Sequence, residues 1–475
     1  MKKSIIYIVL VMLSLAACRD ATDILPVDSV AAEGALTTPE DIDLALSGAY
    51  AAYNPQLIIQ FSSRFADDLR FGVDNGGQGT VEHNQTINAG SGIVNNIYSS
   101  YYAVINRVNR VLEAIENIDA SGLTDTQADR LVQIEGQALA LRALAHFDLL
   151  TVFAPGFADG DLGIPYIDFV VILELPGRDS VGDVFNAILG DLNAAEGLLE
   201  DSANIFLNRD FITALKAKIA LYRGNYTQAI SLADGLIASY PLASREQYVN
   251  MYLDADDTEV IFKASRTVAD ARAGGLFYFT GTGGAFFEMS FGLFSELDPA
   301  DVRYDVLVDD DEDGGTIDPV SDPPTTIFIK KYPGRDGQFG LNDLKLYRVA
   351  EQYLIKAEAQ AQLGLLAEAS LTIDALRDAR FGSDQPAIVY SSLLEAITDI
   401  LSERRKELAY EGHRYIDLRR TRSITNLGIV RNDADCGGPT PCVLLPTDFK
   451  FTLPIPQAEI DVNPNMEQNP GYDTN

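Results

Sequence analysis

Three sets of side chains in this 475-residue chain have types and spacings suited to chemistry. In the first, Asp309, Asp311 and Asp313 alternate ahead of Gly314, and Asp318 follows. Hard oxygens at alternate positions before a glycine turn are how a calcium loop begins. The twelfth position counted from Asp309 is Val320 instead of a bidentate glutamate, so only the first half of such a loop is matched. Calcium there would be structural, and no other cofactor is required; the alternative is a solvated acidic loop. In the second set, Glu403, Glu407 and Glu411 lie four apart, which predicts one helical face, beside Arg404, Arg405 and Lys406. Clustered carboxylates can act as acid and base. More often such a set forms ion pairs on a helix surface, here with Gly412 as the C-terminal cap.

The third set is aromatic. Trp is absent, so any stacking falls to Tyr and Phe. Sugar rings offer CH faces bordered by hydroxyls, which suits rings with polar neighbours. Phe71, His83, Asn84 and Tyr98 stand in or beside one polar stretch, with Asp67, Asp68 and Arg70 as hydrogen-bonding partners. Phe277, Tyr278, Phe286 and Phe287 form a second group around Gly281, Gly283 and Gly284. These are the candidate ligand contacts, although Phe is most often buried and Tyr98 borders an apolar helix stripe. If they line a surface, Phe71→Ala or Phe287→Ala weakens capture and leaves thermal stability alone. The glycine-rich stretch lacks the Lys-Ser/Thr of a phosphate loop. His83, His146 and His413 have no spacing partners, and no nucleophile–base pair or zinc motif stands out. An enzyme is therefore not expected; a surface hydrolase using the acidic loops is the minority reading.

Bases number 36 and acids 69, for a formal net charge of −33. Such a surface repels phosphate backbones and anionic headgroups, which argues against nucleic acid and leaves acyl chains to make any membrane contact. The first residues supply the means. Lys2 and Lys3 precede an apolar run from Ile5 to Leu13, and Leu15-Ala16-Ala17 leads into Cys18. This is a secretory signal, shorter than the roughly 20 residues of a membrane span. Leu-Ala-Ala-Cys is similar to a bacterial lipobox, which makes Cys18 the acylated first residue of the mature chain. Each buried methylene of its acyl chains adds about 0.8 kcal/mol of anchoring. Cys436 and Cys442 then remain as an even pair, read as a disulfide closing a small loop in an oxidising compartment.

The elements that must position these groups are mostly helices. Thr38-Pro39-Glu40-Asp41 starts one that runs to about Tyr53. Apolar residues spaced three and four apart predict a long helix from Ile93 and another from about Thr126 to Phe153. Ser180 with Asp183 opens a further helix to about Leu199. Two segments repeat a helix–glycine–helix plan, 214–239 broken at Gly224 and 346–380 broken at Gly364. Each has an alanine five residues after its glycine, Ala229 and Ala369, as in a tetratricopeptide repeat. The expected architecture is a mainly α scaffold of tetratricopeptide-like helix pairs with a few short strands. Loop-rich insertions fall at about 55–92 and 254–343. Residues 1–17 form the signal, 18–37 the tether, and 38–475 one domain.

The run Glu403-Arg404-Arg405-Lys406-Glu407-Leu408-Ala409-Tyr410-Glu411-Gly412-His413-Arg414-Tyr415-Ile416-Asp417-Leu418-Arg419-Arg420 resembles the C-terminal signature of the SusD/RagB family. Arg348–Ala359, Pro454–Asp461, Asn463-Pro464-Asn465 and Gln468–Tyr472 extend the likeness, as do Asp23-Ile24-Leu25-Pro26 and Gly48-Ala49-Tyr50 near the front. The resemblance implies an outer-membrane lipoprotein of Bacteroidetes, held at the cell surface through Cys18. Asp20 and Asp23 resemble acidic surface-export signals. It also implies a SusC-like TonB-dependent transporter as partner, and an oligosaccharide as ligand, with a peptide as the alternative.

Overall fold

Capping chemistry at the helix boundaries sets where the helices begin. The computed structural model describes residues 36–200, 203–277, 284–309 and 326–472. At the start of α1 (Pro39–Ala52), the Thr38 hydroxyl accepts from Asp41 N at 3.2 Å, while the Asp41 carboxylate accepts from Thr38 N. This reciprocal box satisfies two donors that a helix start leaves over. The next helices are α2 (Gln56–Phe65), α3 (Thr80–His83), α4 (Gly92–Asn117), α5 (Asp125–Phe153), α6 (Val181–Leu198), α7 (Arg209–Tyr222), α8 (Tyr226–Ser239) and α9 (Arg245–Tyr252). Short α10 (Phe291–Phe294) and α11 (Val302–Leu307) precede α12 (Val349–Gln362), α13 (Leu366–Phe381), α14 (Leu393–Glu407), α15 (Arg414–Thr425) and α16 (Gln457–Val462).

The long helices stack in a row. Helix α4 packs on α5, α5 on α6, α6 on α7, α7 on α8, α8 on α12, and α12 on both α13 and α14. Close approach in the middle of the row rests on small residues: Ala217, Ala220, Ala229 and Ala359 share one buried cluster from α7, α8 and α12. Gly224 and Gly364, at φ +75° and +77°, make the left-handed turns between paired helices, a backbone that costs glycine little. The predicted mainly α scaffold is the fold observed.

Five antiparallel strand pairs are mounted on this row among the described residues. They are β1 (Leu69–Phe71) with β3 (Phe287–Met289), β2 (Val260–Ala264) with β8 (Leu344–Arg348), β4 (Val308–Asp309) with β5 (Phe328–Ile329), β6 (Gly334–Arg335) with β7 (Gln338–Phe339), and β9 (Ile429–Val430) with β10 (Val443–Leu444). The stretch from 55 onward differs from its expected loops, because Gln56–Phe65 is helical. Ile58, Phe61 and Phe65 are spaced three and four apart and buried. Phe61 and Phe65 pack edge-on to Tyr415, at 4.8 and 5.4 Å between centroids.

The glutamates of the C-terminal run also differ from expectation. Helix α14 ends at Glu407, and Tyr410 and Gly412 take positive φ, so Glu411 leaves a turn instead of continuing the helical face. All three are buried rather than on a surface. Glu407 takes Arg380 at 2.9 Å through both oxygens, Arg348 at 2.9 Å and Arg303 at 3.5 Å. Arg303 also meets Glu403 at 2.5 Å, and Arg348 bridges to Glu411 and Glu259 at 3.0 and 3.3 Å. Lys331 closes on Glu411 at 2.5 Å. One network thus ties α11, β8, α13 and α14 together. Burial works against the charge on each glutamate. The guanidinium groups of Arg380 and Arg348 outweigh it at Glu407 and hold that carboxyl far below its usual range. Arg348 and Lys331 bring Glu411 down to about 2.

Carboxylates with lowered folded pKa stabilise the fold above the unfolded value of about 4.3, and that contribution is lost as pH falls through the folded value. Stability to urea, followed by far-UV circular dichroism, should therefore fall steadily from about pH 4.3 to about pH 2. Glu407→Gln should remove about 3–5 kcal/mol at pH 7, the cost of breaking a buried pair on one side, and flatten that acid slope. An unchanged midpoint at pH 7 would contradict the role assigned to the network.

Candidate functional site

The two aromatic groups, some 200 residues apart in sequence, meet across the β1–β3 pair. Leu69 faces Met289, Arg70 faces Glu288 and Phe71 faces Phe287. The pairing runs on past the strands, with Gly72 N donating to Phe286 O at 3.0 Å and Asp74 N to Ala285 O at 3.2 Å. A Cβ on Gly72 would lie 2.1 Å from Ala285 O, so only glycine lets the two chains approach. Asn75 fixes the outer turn, its amide donating to Phe286 O and Gln78 O, both at 2.9 Å.

The floor of this platform is closely packed. Phe71, His83 and Phe287 form a triangle of rings at 4.4, 5.7 and 5.9 Å, and the Arg64 guanidinium lies 5.0 Å from the Phe287 centroid. His83 Nδ1 donates to Arg64 O at 3.1 Å. Burial, with the Arg431 charge added, pushes the imidazole down to about 3. Its upper edge is half-exposed: Phe71 and Phe286, with Arg70 pairing to Glu288 and lying 4.2 Å over the Phe291 ring.

Several residues expected to touch ligand instead hold the platform in place. Asp67 and Asp68 are buried. Arg414 meets Asp67 through two contacts of 2.8 Å, and Arg405 meets Asp68 at 2.8 Å. Burial opposes the Asp67 charge, but Arg405 and Arg414 outweigh it and keep that carboxyl below its usual range. Phe287 and His83 have no exposed surface. Phe277 is buried against Tyr332 and Tyr410. These five are corrected to supporting positions, because their side chains are buried against protein neighbours. Arg70, Phe71, Asn84 and Phe286 remain at the accessible edge. Tyr98 stands elsewhere, buried on α4 with its ring 4.6 Å from Tyr102. It lines a separate groove of about 580 Å³ between α4, Pro165–Pro176 and α16. Tyr278, Cys18, Asp311, Asp313 and Asp318 lie outside the described residues, whereas Asp309 ends β4 opposite Phe328.

Sequence reasoning missed two contributors. Phe291 is held by Asp435, whose carboxylate accepts from Phe291 N at 2.8 Å and Gly292 N at 3.1 Å. Directly after Asp435 comes the loop closed by the Cys436–Cys442 disulfide, with an S–S distance of 2.01 Å. From that loop the Thr440 hydroxyl donates to the Asn84 amide oxygen at 2.7 Å. Nothing in the spacing of Cys436 and Cys442 signals that their loop flanks residues 84 and 291. Half-exposed rings with guanidinium and amide neighbours can stack on the CH face of a sugar and bond its hydroxyls.

Two family models match the chain. One, described as the SusD family, covers residues 318–472; the other, described as starch-binding and associating with the outer membrane, covers residues 26–221. SusD-like protein P2 of Formosa agariphila is 26% identical over 99% of this chain and 100% of its own length. A SusD superfamily protein of Bacteroides vulgatus superposes with a TM-score of 0.77 at 26% identity, covering 92% of this chain and 100% of that one. Surface glycan-binding protein A of Bacteroides fluxus shares the fold at a TM-score of 0.70 and 22% identity, with 92% and 100% covered. The two matched segments carry both halves of the β1–β3 platform's supports, Asp67 and Asp68 in one and Arg405 and Arg414 in the other, and the chain belongs to the SusD family.

Proposed function

We propose that this protein is a lipid-anchored cell-surface receptor that captures extracellular oligosaccharide reversibly and hands it to a SusC-like TonB-dependent transporter, without turning it over. The observation that carries the reading is the β1–β3 platform, where Phe71, Phe286, Phe291 and Arg70 form a half-exposed edge on a packed floor. The chemistry available elsewhere supports binding over catalysis. Burial pushes His83 and His146 down to about 3 and His413 to about 4. Such imidazoles are too weak as bases for efficient proton transfer near neutral pH. Glu403, Glu407 and Glu411 are committed to buried ion pairs.

A glycan array probed with the mature chain tests the ligand class, with a peptide array beside it. Saturable binding to neutral oligosaccharide supports the reading, and binding to peptides alone would replace it. Phe71→Ala and Phe286→Ala should each weaken glycan capture by roughly 2- to 12-fold, the equivalent of about 0.5–1.5 kcal/mol for one aromatic contact. Melting temperatures should hardly move. Phe287→Ala should behave differently, losing about 3–5 kcal/mol of stability as a fully buried ring. Equal stability loss in all three variants would place the whole platform in the core.

Anchoring is tested separately. Radiolabelled palmitate should enter the chain in its host and should no longer do so in Cys18→Ala, with the transporter co-purifying from detergent extracts of the parent strain. Labelling that persists in the variant would remove the lipoprotein assignment.

A further inference from the structure

A second pocket, of about 270 Å³, opens on the helical row, between the loop after α5, the α7–α8 turn, α12 and α15. Its charge is unusual for this chain. Arg419, Arg420 and Arg422 line it against a single acid, Glu358, although acids outnumber bases 69 to 36 overall. Arg420 is already satisfied, with Nη2 at 2.7 Å from Glu358 and 2.8 Å from Asp417. The other two have no carboxylate partner within ion-pair distance among the described residues. Arg419 is 3% exposed, donates through Nη1 to Thr151 O and lies 5.0 Å over the Phe157 ring. Its Nε and Nη2 have no hydrogen-bond partner among the described residues. Arg422 is half-buried, its guanidinium 5.7 Å from the Phe451 centroid. Three residues apart on α15, the two side chains share one helical face.

A buried guanidinium edge left without a partner is costly, and a planar fork of donors matches carboxylate and sulfate oxygens. Burial, the largest influence on Arg419, lowers its pKa; Tyr415 opposes that shift and the Arg422 charge adds to it. An anion would relieve both the burial cost and the Arg422 repulsion. We propose that this pocket binds an oxyanion, either the carboxylate of an acidic sugar or a free inorganic sulfate, at a site separate from the β1–β3 platform. The pocket has room for one small acid and none for a folded partner. Its Ser423 and Gln362 side chains supply neutral polar groups beside the arginines.

Isothermal titration of the mature chain with sodium glucuronate and with sodium sulfate, at constant ionic strength and with glucose and chloride as controls, tests the site. Saturable heat is expected with at least one anion and with neither control. Response to glucuronate alone assigns the site to an acidic sugar, and response to sulfate assigns it to the inorganic ion. Arg422→Gln, at the half-buried position, should weaken that binding roughly tenfold or more, as loss of a charge-assisted hydrogen bond does. Its melting temperature should be retained, and Phe71→Ala should bind the anion like the parent. Absence of saturable heat with both anions overturns the proposal. So does anion binding that survives in Arg422→Gln or is lost in Phe71→Ala.

Discussion

The carboxylate of Glu407, shared in the interior by Arg348, Arg380 and Arg303, is the constraint around which the rest of the chain is arranged. A lone carboxylate in that position would cost several kcal/mol in lost hydration. Its partners must therefore arrive together, and they come from three different places: the end of β8, the last turns of α13, and α11. A row of helices alone would not deliver them. The insertion around 254–343 has to fold back onto the row, with β2 pairing β8 so that Arg348 enters the core where α12 begins. A second tier flanks Glu407, with Arg405 two residues before it on α14 and Arg414 at the start of α15. Arg405 and Arg414 reach Asp67 and Asp68, and so carry the same logic into the early insertion that bears β1. The β1–β3 platform is in this sense an outgrowth of the interior charge network.

That dependence explains which parts of the molecule were legible in the sequence. Helix starts were readable because their causes are local: Thr38, Ser180 and the glycines at 224 and 364 each act within four residues. The ion-pair character of Glu403, Glu407 and Glu411 was also readable, but its location was not. Four-residue spacing suggests a continuing helix, and only the left-handed backbone at Tyr410 and Gly412 turns Glu411 inward toward Arg348 and Lys331. The site was half-legible. Both aromatic groups were identifiable by composition, yet the residues that support them were confused with those that face outward. Arg70 and Phe71 sit beside Asp67 and Asp68 in sequence, and only the strand register and the distant Arg405 and Arg414 separate accessible edge from internal strut. Asp435 and the disulfide loop lie more than 140 residues from Phe291 along the chain, and nothing local connects them.

The interior network also changes what the formal charge of −33 means. Among the chain's 36 bases, Arg303, Arg348, Arg380, Arg404, Arg405, Arg414, Arg419, Arg420 and Arg431 are drawn inside or nearly so. Buried carboxylates such as Asp67, Glu259, Asp301, Glu403, Glu407, Glu411 and Asp417 offset them, so the interior is close to neutral and the net negative charge falls on the exterior. At physiological ionic strength its potential decays over about 8 Å. It disfavours polyanions in bulk, while leaving a neutral sugar untouched. The proposed capture on rings such as Phe71 and Phe286 is well matched to the surface, because stacking does not depend on field sign and changes little with salt. An anion faces the opposite balance. It would have to cross a repulsive exterior before reaching Arg419 and Arg422, so the proposed binding would depend on short-range hydrogen bonds at the pocket and not on long-range attraction. The two surfaces thus separate by physical mechanism as well as by position. The proposed glycan edge would be indifferent to ionic strength, and the proposed anion pocket would gain from added salt on approach while losing to it in contact.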